Sequence, residues 1–356
     1  MQCVNEPVGI SREELQLAAR NHGMPLEALA YDVTPAGLHY LLIHYDIPVV
    51  DAGSWRLRVG GLVRSPLELT IEDLRRRPTV TRTVTLECAG NGRALLEPRP
   101  ASQPWLVEAV GNAEWTGVPL RHVLQEAGVD HGAVEVVFTG ADHGLEGEAE
   151  QDYERSLPLD EARADDVLLA YEMNGAPLPP QHGFPLRLVV PGWYGMTSVK
   201  WLERVTVVAE PFAGFQQAHG YRLRTDPEEP GDPVTRIRPR SLMVPPGFPE
   251  FLSRRRIVDA GTHVVRGRAW SGLGSIERVE VSDDDGRTWW EADLDEPPRD
   301  AFAWRGWSFS WHASPGERVL CSRAADATGA TQPLEPIWNV GGYVNNAVQR
   351  VPVLVR

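Results

Sequence analysis

The pattern of apolar positions divides the chain into a mixed part and a part made of short alternating runs. Before residue 225, helical spacings alternate with β-branched runs. Ser11 and Glu14 have the spacing of a capping box, which predicts a helix ending near residue 21. Thr70 can cap a helix that ends before Pro78, and residues 80–88 read as a strand. These elements predict a mixed α+β domain.

A short turn signal lies inside this first part. Asn174-Gly175 is the dipeptide preferred in tight hairpin turns. It predicts a hairpin between strands at residues 167–171 and 186–190.

Proline, glycine and acidic residues are concentrated between residues 225 and 251, which predicts a stiff connection without regular structure. Beyond it, turns separate strand-like runs with almost no helical period, a pattern typical of an antiparallel sandwich. The runs lie at residues 263–270, 276–282, 289–294, 303–311, 318–324 and 346–355. We therefore predict a first domain over residues 1–235 and an immunoglobulin-like all-β domain over residues 245–356.

Composition excludes several classes of partner. A formal net charge of -14 argues against nucleic acid and anionic membranes, because both attract basic surfaces. No stretch approaches the ~20 apolar residues of a membrane span.

Cys3, Cys88 and Cys321 are odd in number and far apart, which makes a disulfide framework or a zinc ribbon improbable. Residues 1–30 lack the apolar segment of an export signal, so we expect a cytoplasmic protein.

Cys88 is the residue of the chain most suited to nucleophilic attack or metal binding. It lies in the sequence TLECAGNGR, residues 85–93, where a β-branched run meets a flexible turn that ends in Arg93. A thiol beside backbone N–H groups and a guanidinium is biased toward the thiolate, which attacks electrophiles or binds soft metals. Two alternatives remain open: Cys88 as a small buried apolar residue, and Cys88 as the histidine-paired nucleophile of a hydrolase.

This turn resembles the molybdenum-ligand turn of the sulfite oxidase family of molybdopterin enzymes. The likeness extends from about residue 33 to the C-terminus. It includes Trp105, Trp115, LAYEMNG at 169–175, HGFPLRLVVPG at 182–192, VKWL at 199–202 and PIWN at 336–339. The resemblance implies a molybdopterin-binding catalytic domain, followed by a domain that forms a homodimer interface.

The resemblance also implies a cofactor site. Cys88 would be the protein ligand of molybdenum, and His182, Arg187 and Lys200 would contact the pterin and its phosphate. Lys200 is the only lysine of the chain, and lysine differs from arginine where a compact ammonium is needed. The sequence has no C-x-x-C-H motif, so we expect no haem and a separate electron acceptor.

For the substrate, the resemblance implies Arg93 as anion donor, Trp105 as pocket wall and Tyr221 as a phenol near the reacting oxygen. His44 and Gly341 stand where the family has arginines. We therefore predict a small oxyanion or sulfur-containing substrate that is not sulfite, or poor use of sulfite. His44 with an ordinary pKa would improve sulfite turnover in mild acid.

Two rival functions are retained. The first is reduction of a sulfoxide or nitrate on the same cofactor. The second is a cofactor-free interaction protein built on an old enzyme fold.

Overall fold

The computed structural model describes residues 9–146 and 148–356. The α-helices are α1 (Arg12–Arg20), α2 (Ile71–Arg75), α3 (Leu120–Ala127), α4 (Leu159–Ala162) and α5 (Phe215–Ala218). Short 3₁₀ helices span Leu26–Ala30, Arg93–Leu95, Pro180–His182 and Gly195–Thr197. The strands up to the proline-rich segment are β1 (Leu57–Gly61), β2 (Leu67–Leu69), β3 (Val80–Glu87), β4 (Val110–Pro119), β5 (Glu135–Glu146), β6 (Ala149–Pro158), β7 (Leu168–Met173), β8 (Ala176–Pro177), β9 (Arg187–Val189), β10 (Leu202–Val208) and β11 (Arg222–Leu223).

The strands from the proline-rich segment onward belong mostly to two further sheets. They are β12 (Asp232–Pro233), β13 (Arg240–Met243), β14 (Phe248–Pro249), β15 (Arg256–Val258), β16 (Gly261–Trp270), β17 (Ile276–Ser282), β18 (Trp290–Glu291), β19 (Asp293–Leu294), β20 (Arg305–Ala313), β21 (Gly316–Asp326) and β22 (Gln349–Val355).

Two five-stranded sheets form most of the N-terminal part, and β11 pairs with β12 in a separate two-stranded sheet. One has the order β2-β1-β10-β5-β6, and the other has β3-β4-β7-β8 with β9 paired to β7. Apolar side chains from both sheets and from α3 share one core, which includes Phe138, Leu188 and Val205. The mixed helix and sheet fold predicted from the sequence is confirmed.

Local capping signals are confirmed at both predicted helices. The Ser11 hydroxyl accepts the backbone N–H of Glu14 while the Glu14 carboxylate accepts that of Ser11. Thr70 and Asp73 make the same reciprocal pair at the start of α2. These bonds satisfy N–H groups that the first turn of a helix leaves free.

The predicted hairpin at Asn174-Gly175 is present, but it joins a different pair of strands. Asn174, with a φ of 52°, and Gly175 join β7 to the short β8 and not to β9. Strand β9 does pair antiparallel with β7, with Leu168 opposite Val189, but it reaches that position through the intervening 3₁₀ helix. The strands were placed correctly and the connection between them was wrong.

The C-terminal part consists of two sheets over a common core. The orders are β13-β16-β20-β19 and β14-β15-β22-β21-β17-β18. Val265, Val279, Trp307 and Val353 are core residues that come from both sheets. One pairing is parallel, that of β15 with β22, so the prediction of a wholly antiparallel arrangement was wrong there.

Two further expectations for this region require correction. The proline-rich segment is not structureless, because it contains β12, β13 and β14, and all four residues of β13 are buried. Its prolines flank β13 and leave the ladder N–H groups of the strand intact. Residues 289–294 form two short strands in different sheets. The division into domains at residues 1–235 and 245–356 stays a prediction.

The two parts meet at the turn after β3. The carboxylate of Glu87 accepts hydrogen bonds from Arg240 Nη1 at 2.5 Å and from Trp270 Nε1 at 2.7 Å, and Glu87 and Arg240 are fully buried. The backbone N–H of Val344 donates to the carbonyl of Ala89 at 2.7 Å. The C-terminal part therefore holds the residues on both sides of Cys88. Within the described residues, no helix combines the length and apolar character needed to cross a bilayer.

Candidate active site

The Cys88 turn is fixed by backbone hydrogen bonds. The N–H of Cys88 donates to Ala109 at 2.9 Å, and its carbonyl accepts the N–H of Asn91 at 3.0 Å. Gly92 has a φ of +92°, and a Cβ there would lie 2.9 Å from the backbone oxygen of Asn345. The amide of Asn345 donates to the Gly92 carbonyl at 2.8 Å. Glycine is required here because of both the left-handed backbone and the close approach.

A cavity with an open mouth adjoins this turn. It brings together five of the residues that sequence analysis selected, from distant parts of the chain. Those residues are His44, Cys88, His182, Arg187 and Lys200. His39, Asp142 and Tyr153 also line the cavity and were missed.

Arg187 and Lys200 place positive charge at this cavity. Arg187 donates to the carbonyls of His182 and Ser198 at 3.1 and 3.2 Å, and its Cζ lies 4.7 Å from the ring centroid of Trp115. Burial lowers the pKa of Arg187 to about 10, so it remains charged at neutral pH. Lys200 Nζ donates to the carbonyl of Leu42 at 2.7 Å. Burial, with the charge of Arg187, lowers the pKa of Lys200 to about 7, and the charge of Asp142 partly opposes that shift. Neither residue forms an ion pair with a carboxylate in the described part of the chain, so an anion such as phosphate would complement Arg187 and favour the charged form of Lys200.

Other polar groups at the cavity lack partners. His39 Nε2 and Asp142 Oδ1 are buried without a hydrogen bond. The rings of His39 and His182 lie 5.5 Å apart, and burial lowers their pKa values to about 4 and about 2. Unpartnered buried polar atoms are costly unless a ligand satisfies them. The unpaired cations, these polar atoms and one thiol fit a phosphate-bearing pterin with a thiolate-bound metal.

The state of the Cys88 thiol differs from the sequence prediction. Burial raises its pKa, and Arg93 and the backbone N–H of Gly90 only partly oppose that effect. The predicted bias toward thiolate was therefore wrong for the chain alone, because the turn is more deeply buried than its polar sequence suggests. A bound metal ion deprotonates a coordinating thiol by its own charge.

The hydrolase alternative receives no support from the geometry. No hydrogen bond joins Cys88 Sγ to a histidine in the part of the chain that the structure describes. Such a pair is needed to activate a cysteine nucleophile. The free thiols Cys88 and Cys321 are both buried, and Cys3 lies outside the described residues. Residues 9–146 and 148–356 contain no cluster of three or more His, Cys, Asp or Glu suited to a metal ion.

Arg93, Trp105 and Tyr221 lie beside Cys88 and not along the cavity wall. Arg93 donates to the carbonyls of Gly341 and Gln103 at 2.9 and 3.2 Å. The indole N–H of Trp105 lies close enough to lower the pKa of the thiol, but it forms no hydrogen bond of good geometry.

His44 and Tyr221 form a close pair. Their Nε2 and hydroxyl oxygen lie 2.5 Å apart, and the ring of His44 stacks on Tyr153 with centroids 4.6 Å apart. Burial, with the charges of Lys200 and Arg155, lowers the pKa of His44 to about 3. The prediction that His44 becomes charged in mild acid was therefore wrong. Tyr221 adopts a φ of 40°, an uncommon backbone conformation that is concentrated at functional sites.

Two further residues near Tyr221 were missed by sequence analysis. Tyr343 lies 5.2 Å from the Tyr221 ring, and Arg155 Cζ lies 5.5 Å from the same ring. A signal for Arg155 existed, because Arg155 stands between Tyr153 and Leu157 in the alternating pattern that is typical of one face of a strand. An arginine on the inward face of a strand requires a chemical explanation.

Comparison with known families gives two matches. Residues 44–216 match the oxidoreductase molybdopterin binding domain family, and residues 236–356 match the Mo-co oxidoreductase dimerisation domain family. Together they leave only the N-terminal segment and a short connection unmatched.

Curated relatives agree with these matches. The chain is 37% identical over 349 residues to the mitochondrial sulfite oxidase of Rattus norvegicus, covering 91% of this chain and 62% of that protein. It is 36% identical over 346 residues to the sulfite oxidase of Arabidopsis thaliana, covering 90% and 87%. It is 34% identical over 352 residues to a nitrate reductase of Hordeum vulgare, covering 91% and 39%. The chain thus spans less than two thirds of the length of the rat protein.

A solved structure has the same fold. The sulfane dehydrogenase SoxCD from Paracoccus pantotrophus superposes with a TM-score of 0.81 at 28% identity. The match covers 98% of this chain and 92% of that chain.

Proposed function

Because the chain belongs to the sulfite oxidase family of molybdopterin-dependent oxidoreductases, we propose that it transfers an oxygen atom to or from a small oxyanion or sulfur-containing substrate. The observation that supports this most directly is the placement of Cys88 with the unpaired cations Arg187 and Lys200 at one cavity. The molybdenum cofactor, when bound, would supply two-electron oxygen-atom chemistry.

The cofactor-binding roles follow from charge and position. Cys88 provides the soft thiolate that a high-valent metal prefers. Arg187 and Lys200 would hold the phosphate, Arg187 as a planar fork and Lys200 as a point charge. His182 lies near His39, Arg187 and Lys200, and its neutral ring could exchange a hydrogen bond with the pterin.

On the substrate side, Arg93 supplies a fixed charge and Trp105 a rigid wall. Burial raises the pKa of Tyr221 far above its usual value, so the phenol keeps its proton. With His44 neutral, one hydrogen bond joins its Nε2 to the Tyr221 hydroxyl, and the pair can orient a substrate oxygen. His44 and Gly341 supply no guanidinium, and poor use of sulfite stays a prediction. The second candidate, nitrate reduction, is favoured by the similarity to a plant nitrate reductase.

Elemental analysis of the purified protein tests the proposal. We expect about one molybdenum per chain, as a single thiolate ligand requires. Addition of sulfite or nitrate should then change the molybdenum–thiolate absorption, and the substrate that changes it identifies the direction of transfer. A protein that binds no molybdenum under conditions that load a known family member would favour the cofactor-free interaction protein.

We propose that the C-terminal part is an immunoglobulin-like sandwich that makes the protein a homodimer. Support comes from the match of residues 236–356 to a dimerisation domain family and from the exposed Trp290. Sedimentation of the full chain should give a dimer, and a monomer would contradict the proposal. A truncation near residue 235 is unsuitable, because it removes Arg240 from the buried carboxylate of Glu87. Cytoplasmic location, the lack of haem and a separate electron acceptor stay predictions.

A further inference from the structure

Arg155 is a buried cation without a counter-charge. It lies on β6 and is 2% exposed. Its Nη1 donates to the backbone carbonyl of Gln216, and its Nε has no partner. No carboxylate forms an ion pair with it among the residues that the structure describes. A buried charge in this condition is strongly unfavourable unless a ligand compensates it.

The surroundings of Arg155 connect it to Arg93. Arg155 Cζ lies 5.5 Å from the Tyr221 ring, Tyr221 lies 5.2 Å from Tyr343, and Arg93 Cζ lies 5.1 Å from the Tyr343 ring. The two guanidiniums therefore lie at opposite ends of a chain of contacts through a tyrosine pair. Both phenols of that pair are close enough to Cys88 for its charge to raise their pKa values. The cations thus border the region between Cys88 and Tyr221.

We propose that Arg155 is a specificity-determining residue for an anionic substrate and replaces, from a neighbouring strand, guanidinium charge that His44 and Gly341 do not provide. The inference rests on the proposed function and narrows it to small oxyanions. A guanidinium keeps its charge at any physiological pH, whereas His44 is neutral there. A neutral sulfoxide would leave the charge of Arg155 uncompensated, so the site favours an oxyanion over a sulfoxide.

Sulfate is the probe for the first test, because it is an oxyanion that binds without reacting. Its dissociation constant is measured by calorimetry on the purified holoenzyme and on Arg155→Met and Arg155→Lys. Loss of one charged interaction should weaken sulfate binding about 10- to 100-fold in Arg155→Met. Arg155→Lys retains the charge and should recover most of the affinity. Arg204→Met is the matched control, because it removes the same charge from an exposed pair with Asp152 and should leave sulfate binding unchanged.

The outcomes separate recognition from structural support. If Arg155 only supports the tyrosine rings, both variants will lower the melting temperature and neither will change the sulfate affinity, which would overturn the proposal. If Arg155→Met does not fold, an unchanged sulfate affinity in Arg155→Gln, which also lacks the charge, has the same meaning. If the wild-type protein shows no saturable sulfate binding, that result alone overturns the proposal.

Steady-state kinetics provide the second test, with sulfite as the probe. Arg155→Met should lower kcat/KM for sulfite about tenfold or more, mainly through KM. Adding His44→Arg to Arg155→Met should recover part of the lost kcat/KM for sulfite. An unchanged KM in Arg155→Met would contradict the proposal. Sulfate binding requires no turnover, so it still tests Arg155 if the proposed oxygen-atom transfer fails.

Discussion

The two sides of Cys88 carry similar charges in different settings. On the cofactor side, Arg187 and Lys200 are held by backbone carbonyls and occupy positions where the sequence follows the family motifs. On the substrate side, the sequence departs from those motifs, and Arg93 and Arg155 lie against tyrosine rings. A fixed cofactor constrains its binding residues closely, whereas a change of substrate permits the charge to move to another strand. The family motifs therefore cover the proposed cofactor site more completely than the proposed substrate site.

Replacing Cys88 by serine removes the thiol that lies between the cofactor side and the substrate side. This substitution should have the largest effect on turnover. A hydroxyl is a hard, mostly protonated donor. We expect turnover to fall by more than the ~10- to 100-fold typical for loss of an outer-shell partner. Turnover is measured with the substrate that changes the molybdenum absorption.

Cys321→Ser is the control for this variant. Cys321 is a free, buried cysteine in β21, and burial raises its pKa to about 12. We expect its replacement to leave turnover unchanged. Near-normal turnover in Cys88→Ser, or an equal loss in both variants, would contradict the assignment of Cys88 as ligand.

Arg187→Met should weaken cofactor binding without changing the residues that we assign to the substrate. The substitution removes a cation that donates to two carbonyls and lies over Trp115. Loss of a charged hydrogen bond costs about 1.5–3 kcal/mol, so the cofactor should bind about 10- to 100-fold more weakly. Molybdenum content per chain is the measurement, and Arg155→Met is the matched comparison that should retain molybdenum. Equal molybdenum content in both variants would show that Arg187 does not hold the cofactor.

Local rules account for what the sequence predicted well. The capping boxes at Ser11 and Thr70, strand β3 and the turn after it depend on neighbours within a few residues. Strand β17 was predicted with its exact limits for the same reason. The residues that we assign to the cofactor were selected through a resemblance, because position along the chain does not indicate that His182 and Lys200 meet at one cavity.

The features that escaped prediction are non-local. His39, Asp142 and Arg155 come from separate segments, and only the folded sheets bring them near Cys88. Strand β13 was missed because its flanking prolines outweighed four buried residues. The thiolate bias failed because burial, which opposes it, cannot be read from a flexible sequence such as AGNG.

Acid should destabilise the cofactor-free protein because burial keeps His39, on the cofactor side of Cys88, and His44, on the substrate side, uncharged. Burial holds the pKa values of His39 and His44 at about 4 and about 3, below the ordinary value of about 6.5. Between those limits the unfolded chain binds protons that the folded chain does not, so stability falls as pH decreases from about 6.5 toward 4. Each histidine should cost about 2 kcal/mol between pH 8 and pH 5.

Urea unfolding of wild type and His39→Phe at these two pH values measures the contribution of one histidine. The variant should lose about 2 kcal/mol less than wild type on acidification, whatever its stability at pH 8. An identical acid-induced loss in both proteins would mean that His39 is not held neutral.

The smallest expected effect concerns His44 and the pH dependence of sulfite turnover. With a pKa of about 3, only about 1% of His44 is protonated at pH 5. His44→Gln keeps a polar group near the Tyr221 hydroxyl but cannot titrate. We therefore expect the ratio of kcat/KM between wild type and His44→Gln to stay constant within about twofold from pH 5 to pH 8. The ratio cancels the protonation of sulfite itself, which is the same for both proteins. A ratio that rises steadily in mild acid would show that His44 gains a proton beside the anion, and it would restore to His44 the charge that we assign to Arg155.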